Sequence, residues 1–155
     1  MQAELALSIL TILLLGFLLV AVFFDMTSGL LSDLCTAAIA ILALCIAFLS
    51  HSLLSSFLGA AVSFGIFGSQ WILSRGRAIG SGDIFLASAL GLWLGLRGTI
   101  IMIFSAYAIG AIVVGALLLS TFISLKQKQI PFGPFLGLGA LLSYFFGSPM
   151  AMYLQ

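Results

Sequence analysis

Charged residues fall at nine positions only, and long apolar runs fill the space between them. No Asp, Glu, Lys or Arg stands between Glu4 and Asp25, between Asp33 and Arg75, between Asp83 and Arg97, or between Arg97 and Lys126. A helix rises about 1.5 Å per residue and needs about 20 apolar residues to cross the hydrocarbon core of a bilayer. All but the run between Asp83 and Arg97 meet that requirement. Of the 155 residues, 63% are hydrophobic and 6% charged, where a soluble domain carries about a quarter charged residues. Too little charge is present to cover a water-facing surface, so the solvent is lipid. The fold class that follows is all-α, a polytopic helical membrane protein.

Six transmembrane helices are predicted, over 5–24, 34–49, 53–73, 84–96, 99–125 and 132–154. The fourth is short, and the fourth and fifth are open to a different division. No linker, repeat or low-complexity tract splits the chain, which predicts a single integral-membrane domain over 1–155. Glu4 and the lack of a basic start predict that the first run is a retained span and no cleaved signal peptide.

Five basic residues set the expected orientation. Arg75 and Arg77 lie between spans three and four, and Lys126 and Lys128 between spans five and six. Both loops fall on one side in a six-span chain, and the positive-inside tendency makes that side cytoplasmic. Arg97 falls opposite, and so do both termini and His51. The loop from Asp25 to Asp33 is then cytoplasmic. Asp25 closes span one and Asp83 opens span four, at similar depth on that same side.

Four carboxylates are present: Glu4, Asp25, Asp33 and Asp83. Ionisable groups at membrane depth are costly, so function is the default question to ask of them. A plainer reading stands beside it. Asp83 follows Gly80-Ser81-Gly82 as a helix N-cap would, and Asp33 precedes span two in the same way. Asp25 could mark the point where span one meets water. In the functional reading, Asp25 and Asp83 form a pair that shares a proton, since two adjacent carboxylates resist ionising together. One acts as general base on water and the other as general acid to a scissile carbonyl. Asp33 is a secondary candidate. That chemistry needs no metal, cofactor or nucleophilic side chain.

Other chemistries lack their residues. One histidine, His51, is too few for a His-based metal site and lies across the membrane from the aspartates. Cys35 and Cys45, ten positions apart, match neither a CxxC nor a zinc spacing and are expected as small apolar residues. No basic run exists to hold nucleic acid. Gly91 and Gly95 form a GxxxG expected to pack helices. Pro131-Phe132-Gly133-Pro134 breaks any helix there, either as a plain junction or as a turn walling a site.

These residues carry a family resemblance. Gly80-Ser81-Gly82-Asp83, followed by Ala89-Leu90-Gly91-Leu92-Trp93-Leu94-Gly95, resembles the GxGD segment of type IV prepilin peptidases and its tail. The Pro131-Phe132-Gly133-Pro134 stretch is similar to the same family's C-terminal segment, and Asp25 to Asp33 to its first catalytic segment. The resemblance spans nearly the whole chain. It implies a membrane aspartyl endopeptidase in the inner (cytoplasmic) membrane, with Asp25 and Asp83 as catalytic dyad and Gly80, Gly82 and the 131–134 turn shaping the site. The implied substrate is a type IV prepilin or pseudopilin precursor. Its basic leader is removed after a glycine on the cytoplasmic side. Ser32 stands where the family commonly has Pro. Phe85 stands where it commonly has Lys, which bears on specificity or activity. The cysteine-bearing cytoplasmic domain of many members has no counterpart in these residues, so N-methylation is not expected. Two alternatives stand beside the protease: a silent scaffold for pilus or secretion assembly, which Phe85 supports, and a small proton or ion pathway using the same carboxylates.

Overall fold

In hydrocarbon every backbone amide must find its partner within the protein, and an apolar run does so as a helix. The computed structural model, which describes residues 2–28, 33–77, 79–119 and 132–147, has five helices and no strand among them. They are α1 (Gln2–Ser28), α2 (Asp33–Leu49), α3 (Leu53–Ser74), α4 (Ser81–Leu119) and α5 (Gly133–Gly147). The segments Gln2–Thr27, Leu53–Ser74 and Ser81–Ala116 are long and apolar enough to cross a membrane, while α2 and α5 are shorter apolar helices. The protein is an all-α membrane protein. Lys126, Lys128, Ser32, Pro131 and the end of the sixth expected span lie outside the described residues.

Six separate spans are not confirmed. The expected fourth and fifth spans both lie in α4, which is two helices meeting at Gly95 (φ 66°, ψ 179°). The chain doubles back there. Thr99 Oγ1 lies 3.5 Å from the Gly91 carbonyl oxygen, whereas residues eight apart in a straight helix are separated by about 12 Å. Contacts with α3 show the same reversal. Ser55 meets Leu96 and Gly59 meets Gly91, so α3 runs antiparallel to residues 81–94. Gly59 also meets Thr99 and Gln70 meets Tyr107, so α3 runs parallel to residues 96–119. A backbone with these angles is open only to glycine. Hydroxyls satisfy the groups that the interruption frees. The Leu96 N–H donates to Ser55 Oγ (3.1 Å), Thr99 Oγ1 to the Gly95 carbonyl (2.7 Å), and Ser143 Oγ to the Gly98 carbonyl (2.7 Å).

Of the GxxxG pair, Gly91 packs as expected. A Cβ on it would strike the Gly59 backbone, so α3 and α4 touch main chain to main chain. Gly95 is the reversal itself. The core runs through Leu14, Leu18, Ile39, Phe67, Leu86, Leu90, Met102 and Leu136, with α4 at its centre. Buried hydroxyls (Ser56, Ser63, Thr99, Ser143) share this interior, while Leu54, Phe104 and Phe146 point outward. Polar groups inside and large apolar ones outside suit a lipid solvent, which offers a hydroxyl no partner.

Candidate active site

Helix ends converge at one end of the bundle: the last turn of α1 and the first turns of α4 and α5. Asp25 lies in that last turn of α1. A carboxylate is unfavourable at a helix C-terminus, where the helix dipole is negative, so nothing within α1 explains it. Nor does Asp25 mark the meeting with water, because only 5% of its surface is exposed. Its partner is remote. The Gly133 N–H donates to Asp25 Oδ2 at 3.0 Å. Gly133 opens α5, where backbone amides lack intrahelical acceptors and the dipole is positive. A side chain at position 133 would put its Cβ into Asp25 Oδ2, so this approach requires glycine.

Asp83 is the third residue of α4 and no N-cap. The cap position falls on Gly80, whose N–H donates to Asp83 Oδ2 at 3.2 Å, as in half of a capping box. The capping reading is therefore true of one oxygen only. Asp83 is 7% exposed, and its Oδ1 is buried with no hydrogen-bond partner among the described residues. Leaving a buried carboxyl oxygen unpaired is costly. Asp25 is near enough for its charge to act on Asp83.

Asp33, the first residue of α2, is exposed and lines an open groove with Phe85. It occupies the same end of the bundle but is not buried with the other two. A Cβ on Gly80 would make only ordinary contact with Asp83 (3.5 Å), so that glycine is not demanded by crowding. Gly82 is half-buried, and Pro134 sits in the first turn of α5, where a missing N–H costs nothing. His51 is exposed at the far end of the bundle, in the turn between α2 and α3. Cys35 is buried and Cys45 exposed.

Phe132 holds the turn before Gly133. Its ring packs against Phe67 (5.9 Å), Tyr107 (5.5 Å) and Phe135 (6.0 Å), and Tyr107 stacks on Phe67 (6.0 Å, 9°). Tyr107 Oη donates to Gln70 Oε1 at 2.6 Å. No spacing along the chain singles out Phe67, Gln70 or Tyr107, since each acts on a segment far from its own.

Residues 12–115 match the profile of the type IV leader peptidase family. The chain belongs to that family. The matched range holds Asp25, Asp33 and Asp83 and ends before the turn at Phe132 and Gly133. A prepilin leader peptidase/N-methyltransferase of Xanthomonas campestris pv. campestris is 33% identical over 97 residues, covering 60% of this chain and 33% of the relative. One from Burkholderia pseudomallei is 32% identical over 136 residues, covering 84% of this chain and 44% of the relative. One from Aeromonas salmonicida is 28% identical over 106 residues, 68% of this chain and 36% of the relative. This leader peptidase family member thus spans less than half the length of these relatives. No solved structure matches it.

Proposed function

We propose that the chain is a membrane aspartyl endopeptidase with Asp25 and Asp83 as its catalytic pair, acting on type IV prepilin or pseudopilin precursors. The observation that carries this reading is the burial of both carboxyls at one end of the bundle. Each has one oxygen held by a backbone N–H, and Asp83 Oδ1 has no hydrogen-bond partner among the described residues. The held oxygens fix the orientation of the two groups. In this reading the unpaired oxygen is the one that exchanges a proton during the reaction.

In hydrolysis, one carboxylate takes a proton from water as the water oxygen bonds to the scissile carbonyl carbon. The other, protonated, gives its proton to the carbonyl oxygen. The tetrahedral diol then collapses, the C–N bond breaks and the leaving nitrogen takes up a proton. Water is consumed, and an acid and an amine are released. A site at a helix end suits a substrate whose leader lies in water and whose following helix lies in lipid. Arg75 and Arg77 follow α3 at the aspartate end, while Arg97 stands at the other. By the positive-inside tendency the aspartate end faces the cytoplasm.

The test is processing of a prepilin by the purified chain in liposomes. Cleavage after the leader glycine is expected from the wild type and from Asp33→Asn. Asp25→Asn and Asp83→Asn are expected to lose at least about 100-fold in rate. A folded wild type that cleaves none of several prepilins, or an Asp83→Asn variant of full activity, would overturn the reading in favour of a scaffold.

A further inference from the structure

An open groove of about 400 Å³ lies between α2 and the first half of α4. Ala37, Ala40, Ala89 and Leu92 form its walls, and Asp33 and Phe85 stand where it reaches the aspartate end. Asp33 is exposed and makes no ion pair among the described residues. Phe85 is 59% exposed. Small residues on two facing helices allow a third helix to approach closely, and in lipid such packing is what holds helices together.

We infer that this groove seats the apolar helix of the substrate, with Asp33 meeting a cationic residue at the water-facing end of that helix. The inference rests on the peptidase reading and assigns the substrate's place within it. Apart from the hydroxyls of Thr36 and Ser88, the latter donating to its own helix at the Ile84 carbonyl, the walls are apolar, so the occupant is an apolar helix. The one formal charge on the groove is the Asp33 carboxylate at its end, so the complementary group is a cation flanking that helix.

Continuity with the site argues for substrate over a second copy of the chain. Phe85 follows Asp83 by two residues, a rotation of about 200° on a helix, so groove and dyad lie on opposite faces of the same first turn. A chain leaving the groove must cross that turn to reach Asp83. Gly80 and Gly82 put no side chain in its way. The segment that crosses is extended, and the scissile bond falls in it.

Two measurements decide this. The first uses the full chain in liposomes and synthetic peptides with one apolar helix and either a Lys or a Gln flank. Asp33→Asn is expected to raise KM for the Lys peptide about two- to five-fold, the size of a partly exposed ion pair, with little change for the Gln peptide. Asp33→Lys is expected to reverse the preference toward a Glu-flanked peptide. An equal effect on all peptides, or none, overturns the role of Asp33. The second places a photo-crosslinking amino acid at Ala89 or at outward-facing Phe104 in an Asp83→Asn background. Crosslinking of the peptide helix from 89 and not from 104 is expected, and equal yields overturn the groove. If no peptide is cleaved at all, the peptidase reading fails, while the crosslinks still report whether a helix with a cationic flank occupies the groove.

Discussion

Asp25 and Gly133, 108 residues apart in sequence, are joined by a hydrogen bond of 3.0 Å from the Gly133 N–H to Asp25 Oδ2. The bond ties the end of α1 to the start of α5 and sets the orientation of one carboxyl group. Only glycine fits at position 133, because a Cβ would overlap the oxygen that the amide holds.

Gly133→Ala is therefore expected to displace Asp25 without removing it. A shift of about 1 Å in a catalytic group can cost on the order of 100-fold in rate. The expected result is a kcat reduced by that order with the variant still folded. Single-turnover cleavage beside a thermal melt in detergent checks both halves. Wild-type kcat in Gly133→Ala would show that Asp25 orientation is immaterial.

The pH dependence should report a coupled pair. In the proposed mechanism, activity requires one proton shared between Asp25 and Asp83. It falls in acid when both carboxyls are protonated and falls in alkali when the shared proton is lost. The two apparent constants belong to the pair and to neither residue alone. A kcat/KM profile over the range in which the protein stays folded is the measurement. A single ionisation there would argue against sharing.

Gly95 is a prediction about stability. Its φ of 66° with ψ of 179° is closed to other residues, and a Cβ there would also meet Ser55 Oγ at 2.7 Å. Gly95→Ala is expected to destabilise the protein by about 1–3 kcal/mol from backbone strain, with the collision in addition. A lowered melting temperature in detergent would bear this out, and an unchanged one would mean that the two halves of α4 do not fold back at this residue.

Tyr107 separates packing from hydrogen bonding. Tyr107→Phe keeps the stack on Phe67 and loses the bond to Gln70, worth about 0.5–1.5 kcal/mol. Tyr107→Ala removes the ring that supports Phe132 and is expected to lower kcat as well as stability. Equal activity in all three proteins, measured by cleavage at saturating substrate, would show that the aromatic cluster does not govern the turn before Gly133.

Sidedness is checked by labelling. In a background with Cys35→Ala and Cys45→Ala, Arg77→Cys is expected to react with an impermeant maleimide from the cytoplasmic face and Arg97→Cys from the opposite face. Labelling of both from one side would refute the orientation.

Which features were legible along the chain follows from the range of the forces involved. Hydropathy acts over one helix length, and backbone satisfaction in lipid acts within a helix. The all-α membrane class, helices α1 to α3 and the placement of Asp25 and Asp83 at one end of the bundle could therefore be read from the order of residues alone. Asp83 in its GxGD string was equally visible, because helix-start chemistry is local. A break between spans 84–96 and 99–125 was legible too, but that Gly95 makes it was not, since Gly95 inside an apolar run reads the same whether it packs or turns. It turns because Ser55 and Ser143, from other helices, meet the amide and carbonyl groups that a break exposes. The pairing of Asp25 with the Gly133 amide, the exclusion of Asp33 from that buried pair and the Phe67–Tyr107–Phe132 support belong to tertiary structure alone. Each depends on which helix ends meet, and that is decided by how the apolar helices pack.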